Sequence, residues 1–139
     1  MNEIKKILES AKTIAVVGIS DDPARPSYSV ADYLKTQGYR IFPVNPKLTQ
    51  VIGEGVYKSL KDIPHKVDIV DIFRRPEAVP EVVDEAIAIG AKVIWMQEGI
   101  QDEASAEKAR KAGLQVVMDK CMLKEHKQLG IAFQTGDRQ

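Results

Sequence analysis

Five short stretches of the chain are almost continuously apolar: residues 13–18, 40–44, 67–73, 92–96 and 114–118. Runs without strict polar alternation mark strands covered on both faces. Between them apolar side chains recur at helical spacing, as in Val30, Tyr33 and Leu34 after a Ser27 cap, and in Val79, Val82, Val83, Ala86 and Ile87. Pro80 belongs in the first turn of its helix, which therefore begins no earlier than about Glu77. A first helix over 2–11 and a last one over 122–130 complete the set. Three times a helical pattern ends on a glycine and a strand pattern starts at once: Gln37-Gly38-Tyr39, Ile89-Gly90-Ala91 and Ala112-Gly113-Leu114. Glycine enters the left-handed C-cap without a Cβ penalty. The repetition implies successive right-handed crossovers, hence an α/β fold with a doubly wound five-stranded parallel sheet, and the expected strand order is 3-2-1-4-5. Residues 48–64 form the longest connection without a helical pattern.

The chain has 139 residues, enough for one core, so a single domain over 1–139 is expected. Twenty basic and twenty acidic residues cancel. No long-range basic field is then available for nucleic acid or an anionic membrane, and any anion site must be local. No apolar run approaches the ~18 residues of a membrane span and the first twelve residues are charged, so a cytoplasmic protein is expected. The single cysteine, Cys121, allows no internal disulfide, and with His65 and His126 in unrelated contexts no metal site is expected. His126 is expected as a partly exposed residue of the last helix, His65 in a loop, and Trp95 in the core.

In a doubly wound sheet ligands bind at the carboxyl ends of the strands, beside the point where strand order reverses. Those tips read Gly18-Ile19-Ser20, Asn45-Pro46-Lys47, Phe73-Arg74-Arg75-Pro76, Gln97-Glu98-Gly99-Ile100 and Asp119-Lys120-Cys121. The first leads through Arg25 to Ser27 and a helix N-terminus, where backbone N–H groups can meet a phosphate. Only Gly18 of a full G-x-G-x-x-G fingerprint is present. A site for NAD places a carboxylate at the end of the second strand to hold the adenosine ribose. Here Lys47 stands there, which favours a nucleotide with an extra ribose phosphate. NADP and coenzyme A both qualify. Of Arg74 and Arg75, consecutive in an extended segment, one is expected to face the ligand. No G-x-S-x-G elbow, Walker A sequence or telling pair of carboxylates is present, so no catalytic residue is assigned.

The runs Val16-Val-Gly-Ile-Ser20, Gly38-Tyr-Arg-Ile-Phe-Pro-Val-Asn-Pro-Lys47, Tyr57-Lys-Ser-Leu60, Val67-Asp-Ile-Val-Asp-Ile-Phe-Arg-Arg-Pro76, Trp95-Met-Gln-Glu-Gly-Ile100 and Asp119-Lys-Cys-Met-Leu-Lys-Glu-His126 resemble the small stand-alone CoA-binding domain proteins. These are similar to the N-terminal domain of the succinyl-CoA synthetase α subunit. The resemblance implies a Rossmann-like domain that binds CoA or an acyl-CoA, with the protein partner unknown. By it, Gly18, Ile19 and Ser20 border the phosphates or pantetheine, with Arg25 and Ser27 near the phosphates. Asn45, Pro46 and Lys47 surround the 3′-phosphoadenosine, Phe73, Arg74 and Arg75 line its other side, and Gln97, Glu98, Gly99 and Ile100 approach the pantetheine arm. The synthetase carries a phosphorylated histidine in a further domain, for which this chain has no room, so a non-catalytic CoA carrier, sensor or partner is expected. Two other readings stand beside it: an NADP-dependent oxidoreductase, and a regulatory interaction domain with a vestigial pocket. Cys121 either packs inward or exchanges with the CoA thiol.

Overall fold

Tyr57 settles the topology. In the structure, a computed structural model that describes residues 2–134, the chain leaves β2 (Arg40–Val44) and doubles back through a two-residue hairpin, β3 (Gln50–Val51) and β4 (Glu54–Gly55). Tyr57 then lies along the outer edge of β2: its N–H donates to the Pro43 carbonyl and its carbonyl accepts from the Asn45 N–H, each at 2.9 Å. That edge is thereby occupied, and the next strand, β5 (Ile69–Ile72), must pair on the free side of β1 (Thr13–Val17). With β6 (Val93–Met96) and β7 (Gln115–Val117) the parallel sheet runs β2-β1-β5-β6-β7. Among its five strands the order is 2-1-3-4-5, not the expected 3-2-1-4-5. The doubly wound class stands, but order reverses between β1 and β5, and there the ligand crevice of such folds opens.

Helices cover both faces, as the unalternated strands require. On one side α1 (Glu3–Ser10), α2 (Pro26–Thr36) and α5 (Met122–Leu129) pack on Ile14, Val16, Ile41, Ile69, Val93 and Trp95. On the other, α3 (Val79–Ala88) and α4 (Glu103–Lys111) pack on the intervening residues Ala15, Val17, Phe42, Val44, Val70, Ile72, Ile94 and Met96. Pro80 sits in the first turn of α3, behind a 3₁₀ turn at Pro76–Ala78. Gly38, Gly90 and Gly113 all take positive φ, as the repeated helix-to-strand punctuation demands. Gly38 has a second reason: a Cβ there would lie 1.9 Å from the Gln134 carbonyl oxygen, because the segment after α5 is laid against it.

Asp71 and His126 are among the polar residues buried in the α1/α2/α5 face. Asp71, in β5 between Val16 and Trp95 of the neighbouring strands, is wholly buried, and neither carboxyl oxygen has a hydrogen-bond partner among the described residues. Burial raises its pKa well above the usual 3.8. His126 is also buried rather than partly exposed as expected, because it falls one turn after Met122 on the side of α5 that meets the core. Its Nδ1 lies 2.7 Å from the Tyr33 hydroxyl, both Tyr33 and Tyr39 meet its ring edge-on, and burial lowers its pKa.

Candidate ligand site at the strand tips

The first tip is a loop braced by its own polar groups. The Ser27 hydroxyl accepts from the Ser20 N–H at 2.9 Å, the Ser20 hydroxyl from the Asp22 N–H at 3.0 Å, and the Asp22 carboxylate from the Ala24 N–H at 2.9 Å. Ser27 is therefore not the helix cap. Pro26 takes the first helical position, where its fixed φ suits the helix start, and Arg25 becomes the N-cap with no side-chain hydrogen bond. Ser27, one residue inside, is nine-tenths buried and holds the loop down. The first turn of α2 contains no acidic residue, so its partial positive end meets the loop unneutralised from within the helix. Exposed Asp21 and Asp22 stand further out along the loop.

Gly18 lies where the tips of β1 and β5 converge. Its φ is +88°, and a Cβ would come within 2.5 Å of the Phe73 carbonyl oxygen and 2.8 Å of Arg74 Cδ. Only glycine fits. A cavity of about 240 Å³ opens beside it, bounded by Ser20, Arg25, Pro26, Ser27 and Phe73. Its polar lining consists of two hydroxyls and a guanidinium, next to a helix N-terminus, which is the chemistry of an anion site.

The second tip joins the first through Asn45, whose amide donates to the Ile19 carbonyl at 2.8 Å while its oxygen accepts from the Lys47 N–H at 2.7 Å. Ile19 offers only its backbone, because its side chain is buried. Lys47 is exposed, whereas Pro46 and Arg74 border a second cavity of about 270 Å³ on the α3 face. Arg74 and Arg75 both border a third, outer opening beside Glu77. Of the two arginines, Arg74 alone lines both openings.

The fourth tip is organised differently. Gln97 is buried, with its side-chain oxygen 3.2 Å from the Met122 N–H that it accepts at the start of α5. Gly99, at φ +87°, donates its N–H to the Asp119 carboxylate at 2.6 Å. Glu98 pairs with Lys124 at 2.9 Å, which raises the lysine pKa. Ile100 packs against the α3/α4 core. This tip is thus bound to the fifth strand and α5, while the first three tips share the cavities. Cys121 caps α5 and packs half-buried against the α1/α2/α5 core, and Trp95 is buried with its indole N–H on the Lys120 carbonyl. Reasoning from sequence missed Lys58, Ser59, Glu81 and Glu85 on the second cavity, and buried Asp71. The Tyr57-Lys-Ser-Leu60 run carried a signal for the first two; nothing local marks the others.

Fold and cavities together define a class: a Rossmann-like α/β domain with an open crevice at its switch point. The chain belongs to the CoA binding domain family, whose model matches residues 12–127. It is 41% identical over 124 residues to the uncharacterized protein YneT of Bacillus subtilis, covering 89% of this chain and 92% of that protein. It is 32% identical over 135 residues to the α subunit of ADP-forming acetate–CoA ligase II of Pyrococcus furiosus, where the match takes in 88% of this chain and 30% of the subunit. A solved hypothetical protein from Pyrococcus horikoshii OT3 has a TM-score of 0.89 at 42% identity, over 91% of this chain and 89% of its own. The resemblance read in the sequence is borne out. Among the described residues no helix is long and apolar enough to cross a membrane.

Proposed function

We propose that this protein binds coenzyme A or an acyl-CoA across the strand tips and carries out no ligase chemistry itself. The observation that carries the reading is the cavity beside Gly18, where a backbone that tolerates no side chain meets Arg25, Ser27 and the N-terminus of α2 in a chain of the CoA binding domain family. In this reading Gly18, Ile19 and Ser20 present backbone to the pyrophosphate, with Arg25 and Ser27 alongside. Asn45, Pro46 and Lys47 flank the 3′-phosphoadenosine with Phe73, Arg74 and Arg75. The turn Gln97-Glu98-Gly99-Ile100 borders the pantetheine arm. Gln97 contributes there through its backbone, since its side chain is engaged by α5. The reading keeps the cytoplasmic location expected from the sequence.

Calorimetric titration with CoA, NADP and NAD tests it. CoA is expected to bind most tightly, and NADP or NAD binding as well or better would overturn the reading. Purified protein incubated with a free acid, ATP or GTP, and CoA is expected to form no acyl-CoA; turnover would refute the non-catalytic part.

A further inference from the structure

Beneath the anion cavity the fold buries an acid. The cavity is lined by Gly18 and Phe73, which follow the last residues of β1 and β5, and by residues of the loop and first turn of α2. It opens on the side of the sheet that α2 covers, and Phe73 packs into the apolar cluster of that side. Side chains two apart in a strand share a face. The layer under Phe73 and Gly18 is therefore Asp71 with its register partner Val16. At the usual strand rise Asp71 lies about 7 Å below Phe73. It is wholly buried, and neither carboxyl oxygen is hydrogen-bonded among the described residues.

The elements packed on this face bring little charge to Asp71. Helix α1 presents Ile4, Ile7 and Leu8, α2 presents Tyr28 and Tyr33, α5 presents Cys121 and His126, and Tyr39 lies just before β2. On the neighbouring strands stand Val16 and Trp95. Tyr33 is bonded to His126, and Tyr39 donates to the Leu8 carbonyl. Burial raises both tyrosines and lowers His126, so these three are neutral near pH 7. Of the charged residues on the three helices that are not fully exposed, Lys35 is paired with Glu54, and Glu125 is half-buried on α5. Ionised Asp71 would thus act on the cavity above it with no cation between.

We propose that the anion site takes up its ligand together with a proton held on Asp71, so that a pyrophosphate binds tightly while Asp71 is neutral and weakly once it ionises. The proposal rests on the CoA reading above and adds its coupling to pH. An anion in the cavity disfavours a second negative charge beneath it, so the bound state holds the Asp71 proton more tightly than the free state. By linkage, binding weakens as pH rises through the range in which free Asp71 gives up its proton. Two unit charges about 10 Å apart, at an effective dielectric constant of about 20, change an affinity by about tenfold or more.

Dephospho-CoA is the probe, because its pyrophosphate keeps a fixed charge between about pH 5.5 and pH 8, whereas the 3′-phosphate of CoA titrates near pH 6. Calorimetry across that range, in two buffers of different ionisation enthalpy and neither of them phosphate, reads affinity and proton uptake together. The wild type is expected to take up protons on binding and to lose about tenfold or more in affinity as pH rises. Asp71→Asn is expected to bind without uptake and with an affinity independent of pH, and His126→Gln to keep the wild-type uptake. Binding by the wild type without proton uptake would overturn the proposal on its own, whatever the variants do, and would leave CoA binding intact. Uptake that persists in Asp71→Asn, or disappears in His126→Gln, would overturn it as well. A wild type that binds dephospho-CoA at no pH would instead bring down the CoA reading and the linkage with it.

Discussion

Replacing Asp71 by asparagine isolates the cost of an ionisable group that the fold has buried without a partner. Asp68, immediately before β5 begins, shows the contrast. Its carboxylate accepts from the Lys12 and Thr13 N–H groups at 2.7 and 3.2 Å and lies 3.7 Å from Lys92. Asp71 has no such partners among the described residues, and desolvation shifts it toward the neutral form. Its folded-state pKa is raised, so the folded state binds a proton more tightly than the unfolded chain. The stability tied to that proton is fully present below the ordinary value of 3.8 and is lost as pH rises toward the folded-state value. Within that window each pH unit costs the wild type about 1.4 kcal/mol relative to a variant that cannot ionise. Over one pH unit of that window, at a urea m-value of about 2 kcal/mol/M, the midpoints move apart by about 0.7 M. Urea denaturation of wild type and Asp71→Asn at pH 5, 6, 7 and 8 measures it. The variant should gain on the wild type as pH rises. Parallel pH dependences would show that Asp71 reaches a partner or water on ionising, and the burial argument would fail.

Gly18→Ala forces a Cβ against the Phe73 carbonyl in a left-handed conformation, so it should cost about 1–3 kcal/mol and abolish CoA binding, read by denaturation and titration. Dephospho-CoA should bind about tenfold or more weakly than CoA, because a charge-assisted hydrogen bond to the 3′-phosphate contributes about 1.5–3 kcal/mol; equal affinities would remove Lys47 and its neighbours from that role. His126 has a depressed pKa in the fold, so the stability tied to its neutral form is present above the ordinary 6.5 and is lost as pH falls toward the folded-state value. His126→Gln should flatten that acid limb in melting curves between pH 7.5 and pH 5. Incubation with CoA disulfide should leave the intact mass unchanged, since Cys121 packs against the core; a reductant-sensitive adduct absent from Cys121→Ser would show that the thiol reaches the ligand.

The five strands and the three glycine caps were legible in the sequence because each is set within about ten residues by apolar runs and one backbone conformation. The strand order was not. It depends on whether residues 48–64 leave the outer edge of β2 open, and Tyr57 closes it through two backbone bonds that no side-chain pattern encodes. Ser27 was located at the right helix end but given the wrong task, although Pro26 already pointed to Arg25 as the cap. The burial of His126 follows from its spacing to Met122, yet a polar residue on an apolar face is readable only once that face has a neighbour. The tips of the first three strands were found as a group. Lys58, Glu81 and Glu85 join them only because the fold brings a connection and a helix to one cavity.

Gln134 lies against Gly38, donates its N–H to the Gln37 carbonyl at 2.9 Å, and donates from its amide toward the Leu8 and Glu9 carbonyls at 3.4 Å. The last described residue and the first helix therefore meet where the strands begin, at the end of the sheet remote from Gly18 and Arg74. That corner is formed by the C-terminal end of α1, away from the strand tips where the crevice opens. A reporter or tether placed on exposed Glu9 should leave ligand affinity unchanged, so surface immobilisation through that corner presents every molecule with its binding face outward.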